Sequence, residues 1–206
     1  EHLLPLPPDR QRDRGVGRTG RRHGRPDHRT GRGGAPTRRR DPDPQDHGGP
    51  LGDVGIYCLN AFRYLTGEEP TEVYGMAHQP QQDPRFREVP ESVSFTLKFP
   101  SGALAQGDCS FGTEVGRHYH VHGAEGVIQM QDAFGYFGQR LFQTSGQEQS
   151  ELKFKPADHF AAEMDHFCEC ILSNKQNHTP GEEGLADMRI IAAIEKSIKT
   201  EQRVTV

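Results

Sequence analysis

Polar and apolar positions between residues 48 and 67 repeat with the period of a helix. The polar positions are spaced by four, three and four residues, as on a single helix face. They are Asp53, Tyr57, Asn60 and Tyr64. The apolar positions form a second stripe, made of Leu51, Val54, Cys58, Phe62 and Leu65. The pattern predicts an amphipathic helix that ends at Gly67, because glycine is the usual residue just beyond a helix C terminus.

Short segments that alternate between apolar and polar residues follow this helix and predict strands. The clearest contains Val93, Phe95 and Leu97, and the turn residues Pro100-Ser101-Gly102 lead it into the next strand as an antiparallel hairpin. The predicted strands span residues 71–77, 92–99, 103–111, 117–122 and 127–131, with weaker ones near 135–143 and 151–155.

The last part of the chain returns to a helical period. A helix over residues 157–173 is expected to bury Phe160, Met164, Phe167 and Ile171. A second helix over residues 182–200 is expected to bury Leu185, Met188, Ile191, Ile194 and Ile198. The simplest assembly is an α+β two-layer sandwich, in which helices cover one face of an open, mostly antiparallel sheet of about five to eight strands.

The first 47 residues differ in composition from the rest of the chain. Twelve Arg stand against six Asp and one Glu, and Lys, Ile, Phe, Tyr, Met and Asn are absent. Without an apolar face to bury, the segment is expected to be disordered. The missing residues have AT-leaning codons, so we interpret residues 1–47 as an out-of-frame or non-native segment and residues 48–206 as the folded domain. The G-x-G-x-x-G at residues 15–20 follows no hydrophobic strand and is not interpreted as a nucleotide site.

Charge and hydropathy exclude several classes of partner. The net charge of −4 combines +5 in residues 1–47 with −9 in the remainder, so nucleic acid is not expected to bind the folded part. No apolar run approaches the length of a membrane span, and we expect a cytoplasmic protein, with the periplasm as the alternative. The four cysteines lack C-x-x-C spacing and are expected to be reduced.

The segment GGPLGDVGIYCLNAFRYLTGEEP, residues 48–70, resembles the start of the second domain of Gfo/Idh/MocA oxidoreductases, and most closely the glucose-fructose oxidoreductase branch. DPRFREV, FPSGALAQG, HFAAEMDHF and NKQNHTPGEEGLADMRIIAAI resemble the same family in the same order. The resemblance implies that residues 48–206 are the C-terminal domain, which carries catalysis, substrate binding and dimerisation. It also implies a sugar or related polyol as substrate and a homodimer or tetramer formed through the outer sheet face.

The resemblance further implies roles for individual residues. Tyr57 is the expected catalytic residue at the reacting sugar hydroxyl, and Asp53, one turn earlier, is expected to orient the substrate. Asn60 and Arg63 match the motif and are assigned to substrate binding. Gly48, Gly49 and Gly52 leave the backbone bare for a flat ligand and are assigned to the cofactor. Without the resemblance, Asp53 and Tyr57 are interpreted as an N-terminal helix carboxylate and an interfacial tyrosine.

The implied cofactor is NADP or NAD, bound mainly by an N-terminal dinucleotide domain. That domain and its E-K-P lysine have no counterpart in this sequence, so the chain alone is expected to be inactive and to bind no dinucleotide. The rival interpretation is a non-catalytic module that dimerises and binds carbohydrate or another partner.

Three histidines alternate along one predicted strand in RHYHVHG. This spacing suits zinc, but the sequence places no fourth ligand, and no metal site is predicted. We expect His118, His120 and His122 to face the open side of the sheet, while Tyr119 and Val121 face the helices. These histidines are expected to border the substrate or the dimer surface, and His118 and His120 are assigned to substrate binding.

Overall fold

A computed structural model describes residues 15–16, 48–114 and 116–206. The helical elements are a π-helical turn at Leu51–Gly55, α1 at Ile56–Thr66, a 3₁₀ turn at Pro84–Phe86, α2 at His159–Ser173 and α3 at Gly181–Thr200. The strands are β1 (Gly15–Val16), β2 (Glu72–His78), β3 (Ser92–Lys98), β4 (Leu104–Ser110), β5 (His118–His122), β6 (Val127–Gln131), β7 (Arg140–Ser145), β8 (Glu148–Leu152) and β9 (Val204–Thr205). The predicted α+β class is confirmed.

The strands form one sheet in the order β8-β7-β6-β5-β1-β4-β3-β2-β9. Strands β2 to β4 are an antiparallel meander, and β5 to β8 are a second one. The two-residue strand β1 lies between the two meanders and pairs with both. It runs parallel to β4 and antiparallel to β5. Sequence patterning missed β1 and β9, since two residues are too few to show a period. The remainder of the predicted disordered segment lies outside the described residues.

The core lies between one face of β2–β4 and the helices α1 and α3. Val73, Leu97 and Ala105 are paired across three neighbouring strands and are all buried. Helix α3 packs closely on β2, because a Cβ at Gly75 would lie 2.9 Å from Cγ2 of Ile194. Glycine at this position lets the helix approach the strand, which fixes the distance between the two layers.

Helix α1 differs from its predicted stripe by one position. Leu59 is fully buried although the predicted apolar stripe omitted it, whereas Val54, which the stripe included, is exposed. The buried positions of this segment, Leu51, Gly55, Leu59 and Phe62, are spaced by four, four and three residues, so they follow a helical stripe that the hydrophobic pattern did not single out. The predicted end is confirmed, because Gly67 adopts a left-handed φ of 67° and its N–H bonds the carbonyl of Arg63.

The predicted burial of helix α2 is wrong. Phe160, Met164, Phe167 and Ile171 are each more than half exposed, and within α2 only Cys170 is buried. A periodic pattern shows that a helix has an apolar side, but it does not supply the element that covers that side. No helix of the described ranges is both long and apolar enough to cross a bilayer.

Candidate functional site

The predicted catalytic pair lies at the start of the first helix. Asp53 belongs to the π-helical turn and Tyr57 to the first turn of α1. Both side chains are exposed, with the Tyr57 side chain at 55 %. Leu51 and Leu59 anchor the opposite side of the same segment in the core. The local fold therefore holds a carboxylate and a phenol on one outward face while the backbone beneath them is fixed.

Two aromatic residues that sequence reasoning left out of the site continue from Tyr57 as a series of ring contacts. The ring centroid of Phe134 is 6.1 Å from that of Tyr57 and 6.5 Å from that of Tyr119. Tyr119 is half-buried, and burial, with a smaller effect from Tyr64, raises its pKa above the usual value for a phenol. The neutral phenol of Tyr119 is therefore a persistent hydrogen-bond donor at the edge of this cluster.

Phe134 belongs to the connection between β6 and β7, residues 132–139, which we call the aromatic loop. Its other aromatic residues are Tyr136 and Phe137, and both are exposed. The only sequence signal for this loop is a group of three aromatic residues within a turn-rich segment, DAFGYFGQ, most of which was predicted to belong to a weak strand. Aromatic side chains in a loop that a core does not need are a reason to suspect binding.

Arg63 is buried and makes its contacts within the protein. It is only 6 % exposed and is surrounded by acceptors. Its Nε and Nη2 donate to Glu69 at 2.8 and 2.6 Å, its Nη1 donates to Asp187 at 2.9 Å and to the carbonyl of Glu183 at 3.4 Å, and Nη2 also lies 3.1 Å from Oε2 of Glu183. All five guanidinium N–H groups are thereby matched, which gives Arg63 a structural role, and its assignment to substrate binding stays a prediction.

Asn60 is exposed at the edge of the same junction, and its Nδ2 donates to Oδ2 of Asp187 at 3.3 Å. Asn60 lies three residues after Tyr57 on the same helix, so it links the junction between α1 and α3 to the segment that carries Tyr57.

The glycines assigned to the cofactor divide into two groups. Gly49 is buried with φ of 104°, and a Cβ there would lie 3.3 Å from Cβ of Val89. The space beside it is filled by protein, so Gly49 is required by the turn and not by a bound ring. Gly48 and Gly52 are half-exposed and remain available to a ligand.

The histidines lie on the other face of the sheet from Tyr57. Val121 packs against the core and Tyr119 contacts Phe134, so alternation directs His118, His120 and His122 to the open face. Their rings follow one another along the strand, with centroids 5.8 and 6.2 Å apart and planes tilted by 50° and 43°. His118 and His120 thus lie across the sheet from Tyr57, and their assignment to substrate binding stays a prediction that Tyr57 alone does not support. In the described ranges, no three His, Cys, Asp or Glu side chains are arranged to hold a metal ion.

Comparison with known proteins gives a match to one family. The family model of the GFO/IDH/MocA C-terminal domain matches residues 17–129. The matched range begins inside the Arg-rich segment, whereas the motif resemblance begins at Gly48.

Individual relatives agree with this match. The chain is 31 % identical over 154 residues to D-xylose 1-dehydrogenase [NADP(+)] of Haloarcula marismortui. This match covers 74 % of this chain and 42 % of that protein. It is 30 % identical to D-xylose 1-dehydrogenase (NADP(+)) 2 of Haloferax volcanii, over 77 % of this chain and 48 % of that protein. The crystal structure of aldose-aldose oxidoreductase from Caulobacter crescentus, complexed with glycerol, superposes with a TM-score of 0.78 at 36 % identity, over 84 % of this chain and 52 % of that one. The chain thus spans about half the length of these relatives.

Proposed function

The chain belongs to the GFO/IDH/MocA family, and from this premise we propose that residues 48–206 are the substrate-binding and catalytic domain of an NADP- or NAD-dependent oxidoreductase. The substrate is a pyranose or related polyol, oxidised at a CH–OH group. Two relatives are named as D-xylose dehydrogenases that use NADP(+), and a third is named an aldose-aldose oxidoreductase. The observation that carries the proposal is the exposed pair Asp53 and Tyr57 on a segment whose other side is fixed in the core.

In this reaction the substrate carbon loses a hydride and its hydroxyl loses a proton. The nicotinamide supplies the hydride acceptor when it is bound. Tyr57 is exposed, so its Oη can take the proton of the substrate hydroxyl while its own phenolic proton passes to water, which leaves the phenol neutral again. Asp53 holds a neighbouring hydroxyl of the sugar and so fixes which carbon faces the acceptor.

The dinucleotide phosphates do not fit the described helices. A phosphate group is favoured by a bare helix N terminus, but acidic residues occupy all three. Asp53 lies in the turn before α1, the Asp158 carboxylate caps α2, and Glu182 and Glu183 lie in the first turn of α3. We therefore assign the phosphates to a separate dinucleotide-binding domain, and this domain to the sugar.

We also propose that two copies pair through the open sheet face. Met76 and Leu104 are exposed on this face, which also carries the half-buried His118 and His120 and the exposed His122 of β5. Exposed apolar side chains on an open sheet favour pairing with an identical surface. Sedimentation across micromolar concentrations checks this, and a strict monomer contradicts it.

The alternative is a non-catalytic module that binds carbohydrate and dimerises. The aromatic cluster beside Tyr57 favours carbohydrate binding under either function, so the test has to separate binding from turnover. Calorimetric titrations of the chain with D-xylose and with NADP⁺ come first, and we expect binding of the sugar alone. The chain is then joined to the part of the Haloarcula relative that the match leaves uncovered, which we expect to bind the dinucleotide, and sugar-dependent formation of reduced nicotinamide is measured. Binding of both ligands without turnover establishes the module.

A further inference from the structure

We propose that Phe134 and Tyr119 form a wall that seats the C–H face of a pyranose beside Tyr57. The inference rests on the proposed function, and it names the residues and the chemical feature by which the site selects a ring-shaped sugar. Neither residue is required by the core, since the described core cluster contains neither.

The wall is continuous with Tyr57. The Phe134 ring contacts two phenols, with centroids 6.1 Å from the Tyr57 ring and 6.5 Å from the Tyr119 ring, and is tilted by 47° and 49° to them. A sugar ring that lies against Phe134 is therefore next to Tyr57. Hydroxyl groups border an apolar surface here, which is the composition of a site for a small polar ring.

Hydrogen bonds on both sides of Phe134 hold the wall in place. The N–H of Ala133 donates to the carbonyl of Arg117 at 2.9 Å, and the N–H of Gly135 donates to the carbonyl of Asp132 at 2.9 Å. The Gln139 side-chain amide donates to the carbonyl of Gly135. The backbone on both sides of Phe134 is thus fixed by hydrogen bonds. Binding of a ligand therefore carries little free-energy cost for ordering the loop.

The chemistry of a pyranose suits an aromatic wall. One face of a pyranose carries C–H bonds, whereas its rim carries hydroxyls. The face of an aromatic ring is the negative part of its quadrupole and attracts C–H hydrogens made positive by neighbouring oxygens. An open-chain polyol with the same hydroxyls has no rigid C–H face, so the wall favours the ring form.

The test uses the chain itself, labelled with ¹³C at the tyrosine Cζ. The five tyrosines give five signals, and single Tyr→Phe variants assign them. D-xylose is titrated against the wild type, and xylitol serves as the open-chain counterpart. We expect saturable shifts at Tyr57 and Tyr119, no shift at Tyr74 on β2, and weaker binding of xylitol.

The variants isolate the wall. We expect Phe134→Leu to weaken D-xylose binding about fivefold, and Phe134→Tyr to keep it within about twofold. Phe137→Leu is the matched control, because Phe137 lies on the same loop at 86 % exposure, and it keeps wild-type affinity. An unchanged Tyr74 signal in each variant shows that the sheet is intact.

Two results overturn the proposal while leaving the proposed function standing. One is that Phe134→Leu binds D-xylose as tightly as the wild type. The other is that, without sugar, Phe134→Leu leaves the Tyr57 and Tyr119 signals unmoved, which shows that the rings are not in contact. A wild-type chain in which no tyrosine responds to D-xylose overturns both the wall and the assignment of this domain to the sugar.

Discussion

Arg63 of α1 and Asp187 of α3 meet inside the protein, with Nη1 donating to Oδ1 at 2.9 Å and both side chains 6 % exposed. This pair joins the helix that carries Tyr57 to the helix that packs on β2. Asn60 reaches the other oxygen of the same carboxylate. The segment under the candidate site is therefore positioned by a buried polar junction as well as by apolar packing.

We expect Arg63→Met to lower the free energy of unfolding by about 3 kcal/mol. Removing one partner leaves Asp187 buried with only Asn60 as a donor, and an unpaired buried charge is costly. Urea unfolding measures the change. Lys98→Met is the control, since the Lys98–Glu72 pair is largely exposed and contributes about 0–1 kcal/mol. Equal losses in the two variants contradict a special role for the junction.

The thiols are expected to differ in reactivity. Burial raises the pKa of Cys58 to about 11 and that of Cys109 to about 12, which keeps both as unreactive thiols. Cys170 is buried, whereas Cys168 is exposed. Iodoacetamide at neutral pH therefore modifies Cys168 first in the native protein, and mass spectrometry shows one fast adduct and four after unfolding. Rapid native modification of Cys109 contradicts the packing of β4 against α1.

His120, the middle of the three histidines on β5, is expected to make the stability of the fold depend on pH. Burial, followed by the charges of His118 and His122, lowers the pKa of His120 below its usual value. The folded state therefore binds fewer protons than the unfolded state as the pH falls through the unfolded pKa of about 6.5. The contribution of His120 to the free energy of unfolding is therefore fully present above that pH. It is lost as the pH falls toward the lower pKa of the folded state.

Unfolding at pH 7 and pH 5 tests this expectation, and His120→Gln loses less stability between the two than the wild type does. His78→Gln is the control, because the His78 side chain is 70 % exposed and lies on β2, away from the three histidines of β5. Its removal leaves the loss unchanged. A wild type that is equally stable at both pH values contradicts the prediction.

The exposed side of α2 predicts binding of an apolar dye. Met164 and Ile171 lie on one side of the helix with Phe160 and Phe167, and all four are more than half exposed. We expect Ile171→Asp to reduce dye fluorescence while changing stability by no more than about 0.5 kcal/mol, because nothing in the described residues buries this side chain. Ala162→Asp adds the same charge on the other side of the helix and leaves the fluorescence unchanged. A large loss of stability in Ile171→Asp means that the side chain is covered in solution.

The sequence pattern predicted the order and type of the long elements because each element carries its own period. It did not predict which side of α2 is covered, since burial depends on a second element far away in the chain. It also missed Leu59 in the core, because the buried stripe passes through Gly55, which has no apolar side chain to mark it. For the site, Asp53 and Tyr57 are both exposed and their role as a pair stays a prediction, whereas Phe134 reaches Tyr57 only through the tertiary fold.

The role of Tyr57 is tested by kinetics in the chain joined to a dinucleotide-binding domain. We expect Tyr57→Phe to lower kcat by about 10²–10⁴-fold with little change in KM. The ring still packs beside Phe134 in this variant, so the interaction that is lost is the proton transfer, which belongs to the transition state. Asp53→Asn raises KM as well, because a carboxylate that orients the bound sugar acts before the reaction. Tyr74→Phe, on β2 away from the site, serves as the control with unchanged kinetics. Near-normal turnover of Tyr57→Phe assigns the proton to another residue and leaves Tyr57 as part of the aromatic surface.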